Sequence, residues 1–402
     1  MSVLRTRKRF YFALILLGVT VGLLGIVLHA ILEATIEVAS LFGNESMTIG
    51  HAFLLILSGF AAGFSWYFLQ RPPNVLYRIH DLVFNKKLDQ LNYQRQIWHV
   101  LIQIITVGLG SPIGKEAAPR ELGALMAQPL GKKLGLTQTD RTFLAAAGVG
   151  AGLSAIYQVP LGSVFFVFET LRLDYSINRF IEVSLVTYLS AWTASLVIST
   201  DPLFPVNHVE ASWQSLLGII IITFVLIPFA KLFKRLIIRV ESQKIKSVSM
   251  MILLPLLFSV LALVAFYYPQ IMGNGSEMVI TFLKLPDRYT VVALLLLKTI
   301  FVLTTLKAGA FGGTLTPSFA LGMGLAYLLV APFSFESGFL LTLMTTGSLV
   351  FLTTCLEAPL AAFFLVVGFT GISYQVYPHL FVSLLLVQFW SHQCDKGLKR
   401  KR

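Results

Sequence analysis

Two stretches of fourteen residues decide the fold of this chain: GSPIGKEAAPRELG at 110–123 and GAFGGTLTPSFALG at 309–322. An offset of 199 positions superimposes three of their glycines, and it carries the Pro-Leu pair at 160–161 onto the Pro-Leu pair at 359–360. Chance matches between apolar segments do not hold glycines and prolines in register over such a length. The chain therefore contains an internal duplication, the first feature to seek in an unknown sequence.

The composition around these stretches is that of a membrane protein. Of the 402 residues, 56% are hydrophobic and 12% are charged, which is about half of the charged share of soluble domains. This excludes a water-soluble enzyme, a disordered chain and a nucleic-acid-binding protein. A spanning helix needs about 20 apolar residues, fewer where it is shielded, and apolar runs lie at 10–32, 51–69, 180–198, 216–230, 250–268, 291–306, 339–356 and 361–372. We expect an all-α polytopic membrane protein with one domain over residues 1–402.

Basic residues indicate the orientation in the membrane. Lys and Arg cluster before the first apolar run and in a tail at 393–402, whereas the loops at 41–51 and 199–216 contain neither. Because cytoplasmic loops carry an excess of basic residues, we predict a multi-pass plasma-membrane protein with both termini in the cytoplasm. The first run is too long for a cleaved signal peptide and has no small-residue cleavage site, so it is predicted to remain as a span. This placement accounts for the net charge of +12 without nucleic acid.

The glycine- and proline-interrupted segments at 110–119 and 309–317 predict a binding site. In duplicated transporters, such segments at matching places mark the substrate site near the middle of the bilayer, because irregular backbone at that depth survives only where it lines a cavity or binds something. Each segment leads into a helical pattern and so directs a helix N-terminus, with its free N–H groups, to a shared point. Such a point favours an anion, and without a formal positive charge it can release the ion again.

Other chemistries do not fit the same stretches. A phosphate-binding loop would need glycine at 109 and Ser or Thr at 116, where the chain has Leu109 and Glu116. No zinc-ligand spacing and no GxSxG elbow is present. The two cysteines, Cys355 and Cys394, give neither a disulfide framework nor a metal site. We therefore predict no enzyme activity, no nucleotide, no metal and no other cofactor.

These segments resemble those of a known family. GKEAAP at 114–119 is similar to the GKEGP or GREGP motif of the CLC family of chloride channels and proton/chloride exchange transporters, and GGTLTP at 312–317 is similar to its GGxFxP motif. Flanking blocks at 147–169 and 346–367 match in the correct order. The resemblance implies a short bacterial-type member without regulatory CBS domains, with inverted repeats at roughly 10–200 and 210–392 and re-entrant half-helices. It also implies a homodimer with one anion pathway in each subunit.

By this resemblance Glu116 is the gating glutamate, whose carboxylate fills an anion position and leaves it when protonated. Sequence alone supports two interpretations of Glu116: a functional intramembrane carboxylate, or one that stabilises a helix N-terminus. The resemblance also assigns further residues to the anion site, the last two through their backbone N–H groups: Gly114, Lys115, Gly313, Thr314 and Leu315.

Arg120 departs from the family, which has a neutral residue at that position. It lies four residues after Glu116, the spacing of a helical ion pair. It is predicted to hold the gate shut or to concentrate anions at the pore mouth; the alternative is a surface arginine without a role.

Three further departures bear on the mechanism. The family's serine ligand is missing after the second apolar run, where Asn74 is the candidate substitute, and the tyrosine ligand of the last helix is missing as well. Thr170 stands where exchangers have the second glutamate of a Glu-Glu pair, which leaves Glu169 and Glu357 as candidate proton relays.

The sequence thus leaves three functions open. The first is glutamate-gated transport of a small monovalent anion, most simply chloride, in exchange for protons. The second is a passive chloride channel or uniporter, favoured by Thr170. The third is a paralogue that no longer conducts, favoured by the missing serine and tyrosine.

Overall fold

The computed structural model describes residues 2–42, 47–71, 76–84, 91–207, 209–333 and 335–399. Within these ranges the chain forms sixteen α-helices and three short 3₁₀ turns, and its one strand-like feature is an isolated bridge between two glycines. Six of the described helices are long and apolar enough to cross a membrane, and three shorter apolar helices accompany them. The predicted all-α membrane fold is confirmed.

The helices fall into two sets of eight. The first set is α1 (Ser2–Ser40), α2 (Ile49–Gln70), α3 (Ile79–Phe84), α4 (Tyr93–Gly108), α5 (Ala117–Lys133), α6 (Gln138–Tyr157), α7 (Pro160–Thr170) and α8 (Ile177–Ala194). The second set is α9 (Trp213–Ser242), α10 (Met250–Ala265), α11 (Ser276–Leu283), α12 (Arg288–Lys307), α13 (Leu315–Val330), α14 (Ser337–Leu356), α15 (Pro359–Thr370) and α16 (Tyr377–Lys399).

The offset found in the sequence relates the two sets. Moved by 199 positions, α6 coincides with α14, and the proline that begins α7 falls on the proline that begins α15. Equivalent residues also touch one another in three places: Gly114 with Gly313, Glu116 with Leu315, and the ring of Phe165 with that of Phe364. A residue that contacts its own equivalent lies beside a two-fold axis, so the repeats are related by a two-fold axis through these contacts.

Duplicated glycines set the distance between the helices behind the site. Helix α5 packs against α6, and α13 packs against α14. A Cβ on Gly123 would lie 2.0 Å from the carbonyl oxygen of Gly148, and one on Gly322 would lie 2.2 Å from that of Gly347. Backbones approach this closely only where side chains are absent. The glycines that reveal the repeat therefore hold each half-helix close to its neighbour.

The repeated Pro-Leu pairs mark two helix starts. Gln158 and Glu357 end α6 and α14 in the left-handed region, with φ of 54° and 53°. Pro160 and Pro359 then open α7 and α15, where the missing N–H costs nothing. The same sharp turn is thus built twice, which explains why this pair stays in register.

Both ends of the described chain are helical beyond the apolar runs. Helix α1 contains 39 residues, and its rise of about 58 Å exceeds both the apolar run at 10–32 and a hydrocarbon layer of about 30 Å. The segment predicted as a tail from 393 continues α16 as far as Lys399. Asn74, the candidate substitute for the family's serine, lies outside the described residues.

Candidate functional site

The two interrupted segments meet through their backbones. Gly114 N–H donates to the carbonyl of Gly313 at 2.7 Å, and Gly313 N–H donates to the carbonyl of Gly114 at 2.9 Å. Immediately after this pairing α5 and α13 begin. The pairing brings two helix N-termini together, as the sequence predicted, and their free N–H groups and dipoles favour negative charge between them.

The carboxylate of Glu116 lies between these N-termini. Its side chain is fully buried, and Oε1 accepts a hydrogen bond of 2.6 Å from the backbone N–H of Leu315 in the opposite half. In its own helix Glu116 is the N-cap residue but makes no side-chain capping bond. The carboxylate is therefore not a cap of α5; it occupies the N-terminus of α13 in the manner of a bound anion.

Glycine at two positions makes room for that carboxylate. A Cβ on Gly313 would lie 1.9 Å from Oε1 of Glu116, and a Cβ on Gly114 would lie 2.2 Å from Oε2. No other amino acid fits at either position unless the carboxylate moves. The conformational freedom of glycine matters less here than the space it leaves.

Tyr157 supplies a second donor to the site. Its hydroxyl, at the end of α6, lies 3.2 Å from Oε2 of Glu116 and 2.8 Å from Oγ1 of Thr316. Sequence reasoning missed this residue, although it is quoted within the block at 147–169 that resembles the family. A tyrosine as the last residue of an otherwise Ala- and Gly-rich helix is a signal for a buried hydroxyl that needs a partner.

Lys115 lines an open cavity. The cavity has a volume of about 360 Å³, and Lys115, Glu33, His51 and Glu277 are among its lining residues. The Lys115 ammonium also lies 5.6 Å from the centre of the Tyr157 ring. Lys115 thus borders an open cavity, whereas Thr314 is the N-cap residue of α13.

Arg120 does not pair with the carboxylate of Glu116, which corrects one prediction. Its Nε donates to the backbone carbonyl of Glu116 at 2.7 Å, and its guanidinium lies 5.1 Å from the centre of the Phe166 ring. The spacing was right for a contact, but the bond goes to the main chain. Arg120 therefore stabilises the first turn of α5, whereas the Glu116 carboxylate is bound by the Leu315 N–H and the Tyr157 hydroxyl.

The candidate relays lie away from this site and have other partners. Both oxygens of Glu169 accept backbone N–H groups in the first turn of α15, from Leu360 at 3.1 Å and Ala361 at 2.9 Å. Glu357 is exposed and forms an ion pair with Lys234. Thr170 is exposed as well. Glu169 thus acts as an N-terminal partner of α15, a structural role.

Comparison with known proteins identifies the family. The model of the voltage gated chloride channel family, Voltage_CLC, matches residues 82–391. The chain belongs to this family. It is 25% identical over 307 residues to the voltage-gated ClC-type chloride channel ClcB of Escherichia coli strain UMN026, and the match covers 74% of this chain and 72% of that protein. The ClcB of Escherichia coli strain SMS-3-5 is 26% identical over 308 residues.

Solved structures with low sequence identity share the fold. A slow cyanobacterial Cl⁻/H⁺ antiporter superimposes with a TM-score of 0.82 at 18% identity, over 94% of this chain and 93% of that one. A CLC-type fluoride/proton antiporter gives a TM-score of 0.73 at 18% identity, over 95% of each chain. CLC proteins are channels or transporters rather than enzymes, as predicted. The chain is a multi-pass membrane protein of an anion-transporting family.

Proposed function

We propose that the protein carries a small monovalent anion, chloride first, across the membrane at the paired N-termini of α5 and α13, with Glu116 as the gate. One observation carries the proposal: a fully buried carboxylate accepts the Leu315 N–H from the opposite half of the repeat. A carboxylate and a halide compete for such a donor, so an ion binds when Glu116 is protonated and swings away. The glycines at 114 and 313 leave the space that either occupant needs.

The movement of anions is proposed to be coupled to protons. One residue that both blocks the site and binds a proton links the two ions by competition. Two structural neighbours are described as proton antiporters, one for chloride and one for fluoride, so both anions belong in the first assay. A passive channel is the second candidate, because Thr170 cannot ionise and Glu169 is engaged by the first turn of α15.

The assembly and location proposed from the sequence are a homodimer in the plasma membrane, with both termini in the cytoplasm. Apolar side chains are exposed along one face of α8 at intervals of three or four residues: Ile177, Ile181, Leu185, Tyr188 and Trp192. Such a face suits lipid or a second copy. Crosslinking through single cysteines placed on this face would detect the dimer.

The test uses purified protein in liposomes that hold a chloride gradient, with chloride and pH electrodes in the same vessel. We expect chloride to leave the vesicles and protons to move against their own gradient. Chloride movement without protons would support the passive channel instead. No flux of chloride or fluoride, from protein that elutes as a single species, would refute the proposal and favour a paralogue that no longer conducts.

A further inference from the structure

A second buried carboxylate lies on α5, five residues beyond the gate. Glu121 is 4% exposed, and its Oε2 lies 3.2 Å from Nε2 of His99, a fully buried residue of α4. The same oxygen accepts a hydrogen bond from the side-chain amide of Gln103 at 2.8 Å. The indole N–H of Trp66, on α2, donates to Nδ1 of His99 at 3.2 Å. These four residues form the His–Glu cluster.

The hydrogen bonds of the cluster favour one position of the histidine proton. Nδ1 of His99 accepts from Trp66, which favours a ring proton on Nε2; that atom lies 3.2 Å from Oε2 of Glu121 and 2.9 Å from the amide nitrogen of Gln103. Among the described residues, His99 is the one basic side chain within 4 Å of Glu121. Arg120 and Lys244 act on Glu121 from farther away. A buried carboxylate with no cation in direct contact is costly, and binding a proton removes that cost.

A group of charged side chains lies between the cluster and the surface, on the far side of Phe311. The ring of Phe311 meets the ring of His99 edge-on, with 4.6 Å between centroids. The ammonium of Lys244 lies 3.7 Å from the centre of the Phe311 ring. Lys244 and Arg78 both pair with Glu241, at 3.6 Å and 2.6 Å, and the Arg78 side chain is 47% exposed. The Phe311 ring therefore separates the cluster from charged groups that reach solvent.

Glu121 of the cluster lies on the same helix as Glu116. Five residues of α-helix rise about 7.5 Å, so less than two turns of α5 separate Glu121 from Glu116. Arg120, between them in sequence, donates to the backbone carbonyl of Glu116. Both oxygens of Glu169, by contrast, already accept N–H groups of α15.

We propose that Glu121, positioned by His99 and Gln103, is the residue that passes protons between Glu116 and the solvent-exposed side of the protein where Arg78 and Glu241 pair. The inference rests on the proton coupling in the proposed function. Protonation forms one O–H bond at Oε1 and neutralises the carboxylate, while Oε2 keeps the hydrogen bonds from His99 and Gln103. Release of the proton breaks that O–H bond and restores the carboxylate, with no other bond made or broken.

The experiment compares Glu121→Gln with Glu169→Gln as the matched control, since each replaces one carboxylate by an isosteric amide. Each variant is reconstituted in liposomes under a chloride gradient, and chloride and proton movements are recorded together. We expect Glu121→Gln to conduct chloride while its proton movement falls by roughly a hundredfold. Glu169→Gln should keep the proton-to-chloride ratio of the parent protein. If Glu121→Gln does not elute as a single species, Glu121→Asp replaces it, and its proton rate should fall by roughly tenfold because the carboxylate is displaced from His99.

Two results would overturn the inference, and they are distinguishable. If the parent protein couples protons and Glu121→Gln, or Glu121→Asp in its place, keeps the parent ratio, Glu121 carries no proton and the proposed function stands. If the parent protein moves chloride without protons, proton exchange and the role of Glu121 fail together. Loss of coupling in Glu169→Gln with coupling intact in the Glu121 variant would place the proton site on α7 instead.

Discussion

Glu116→Gln keeps the shape of the gate side chain but removes its charge, and the hydrogen bonds of Glu116 set the size of the effect. The carboxylate accepts from Leu315 N–H at 2.6 Å and lies 3.2 Å from the Tyr157 hydroxyl. A hydrogen bond to a charged group contributes about 1.5–3 kcal/mol and one between neutral groups about 0.5–1.5 kcal/mol. Weakening both bonds therefore destabilises the conformation in which side chain 116 fills the site by about 2 kcal/mol. The population of that conformation falls by roughly thirtyfold.

The assay is chloride efflux from liposomes at external pH values from about 7.5 to about 4.5, a range that reaches the pH at which carboxylates titrate. We expect the flux of the parent protein to rise as the pH falls, because protonation releases Glu116. Glu116→Gln should conduct at all pH values, with no pH dependence and no proton movement. A folded Glu116→Gln protein that conducts no chloride would refute the proposal that Glu116 is the gate, and would indicate a structural role for this residue.

Three further changes test the surroundings of the gate. Gly313→Ala places a Cβ 1.9 Å from the position of Oε1 of Glu116, so the chloride affinity measured by calorimetry should fall by roughly tenfold or more. Leu315→Phe, the matched control, should bind chloride as the parent protein does. Equal affinities in the two variants would mean that chloride binds at another place. Tyr157→Phe, in a Glu116→Ala background, should weaken chloride binding by about 1 kcal/mol. An unchanged chloride affinity would show that the Tyr157 hydroxyl does not contact the ion. Burial lowers the pKa of Lys244, beside α9, from 10.5 to about 7, so charging it costs stability fully below about pH 7 and not above about pH 10.5. Lys244→Met should therefore raise the melting temperature in detergent below pH 7, and a gain that is equal above pH 10.5 would contradict this explanation.

The parts of the fold that the sequence predicts are those set by the backbone. Glycines that lie against a neighbouring backbone, as at 123 and 148, have no room for a side chain. The same glycines therefore occur in both halves and preserve the register of the duplication. Prolines at helix starts do the same at 160 and 359. These signals also predicted that the two interrupted segments meet. Free N–H groups at membrane depth are tolerated only where they line a cavity or bind something.

The partners of side chains could not be predicted in the same way. Tyr157 reaches Glu116 across 41 positions and Thr316 across 159 positions, and no local pattern encodes such contacts. The interpretation of Arg120 failed for a related reason, since a guanidinium at i+4 reaches the carbonyl of Glu116 as readily as its carboxylate. Glu121 was not predicted, because Glu169 and Glu357 were the carboxylates that the sequence offered as replacements for the missing relay.

The two-fold relation between the halves explains why the site holds a single carboxylate. Glu116 and Leu315 occupy equivalent positions, and the side chain of the first accepts the backbone N–H of the second. If both positions carried a carboxylate, two like charges would lie within hydrogen-bond reach of each other, and one would have to stay protonated. Leucine at 315 leaves the N–H available and contributes no charge. The backbone of the repeat can therefore stay symmetrical around the anion position, while the one gate comes from the first half alone.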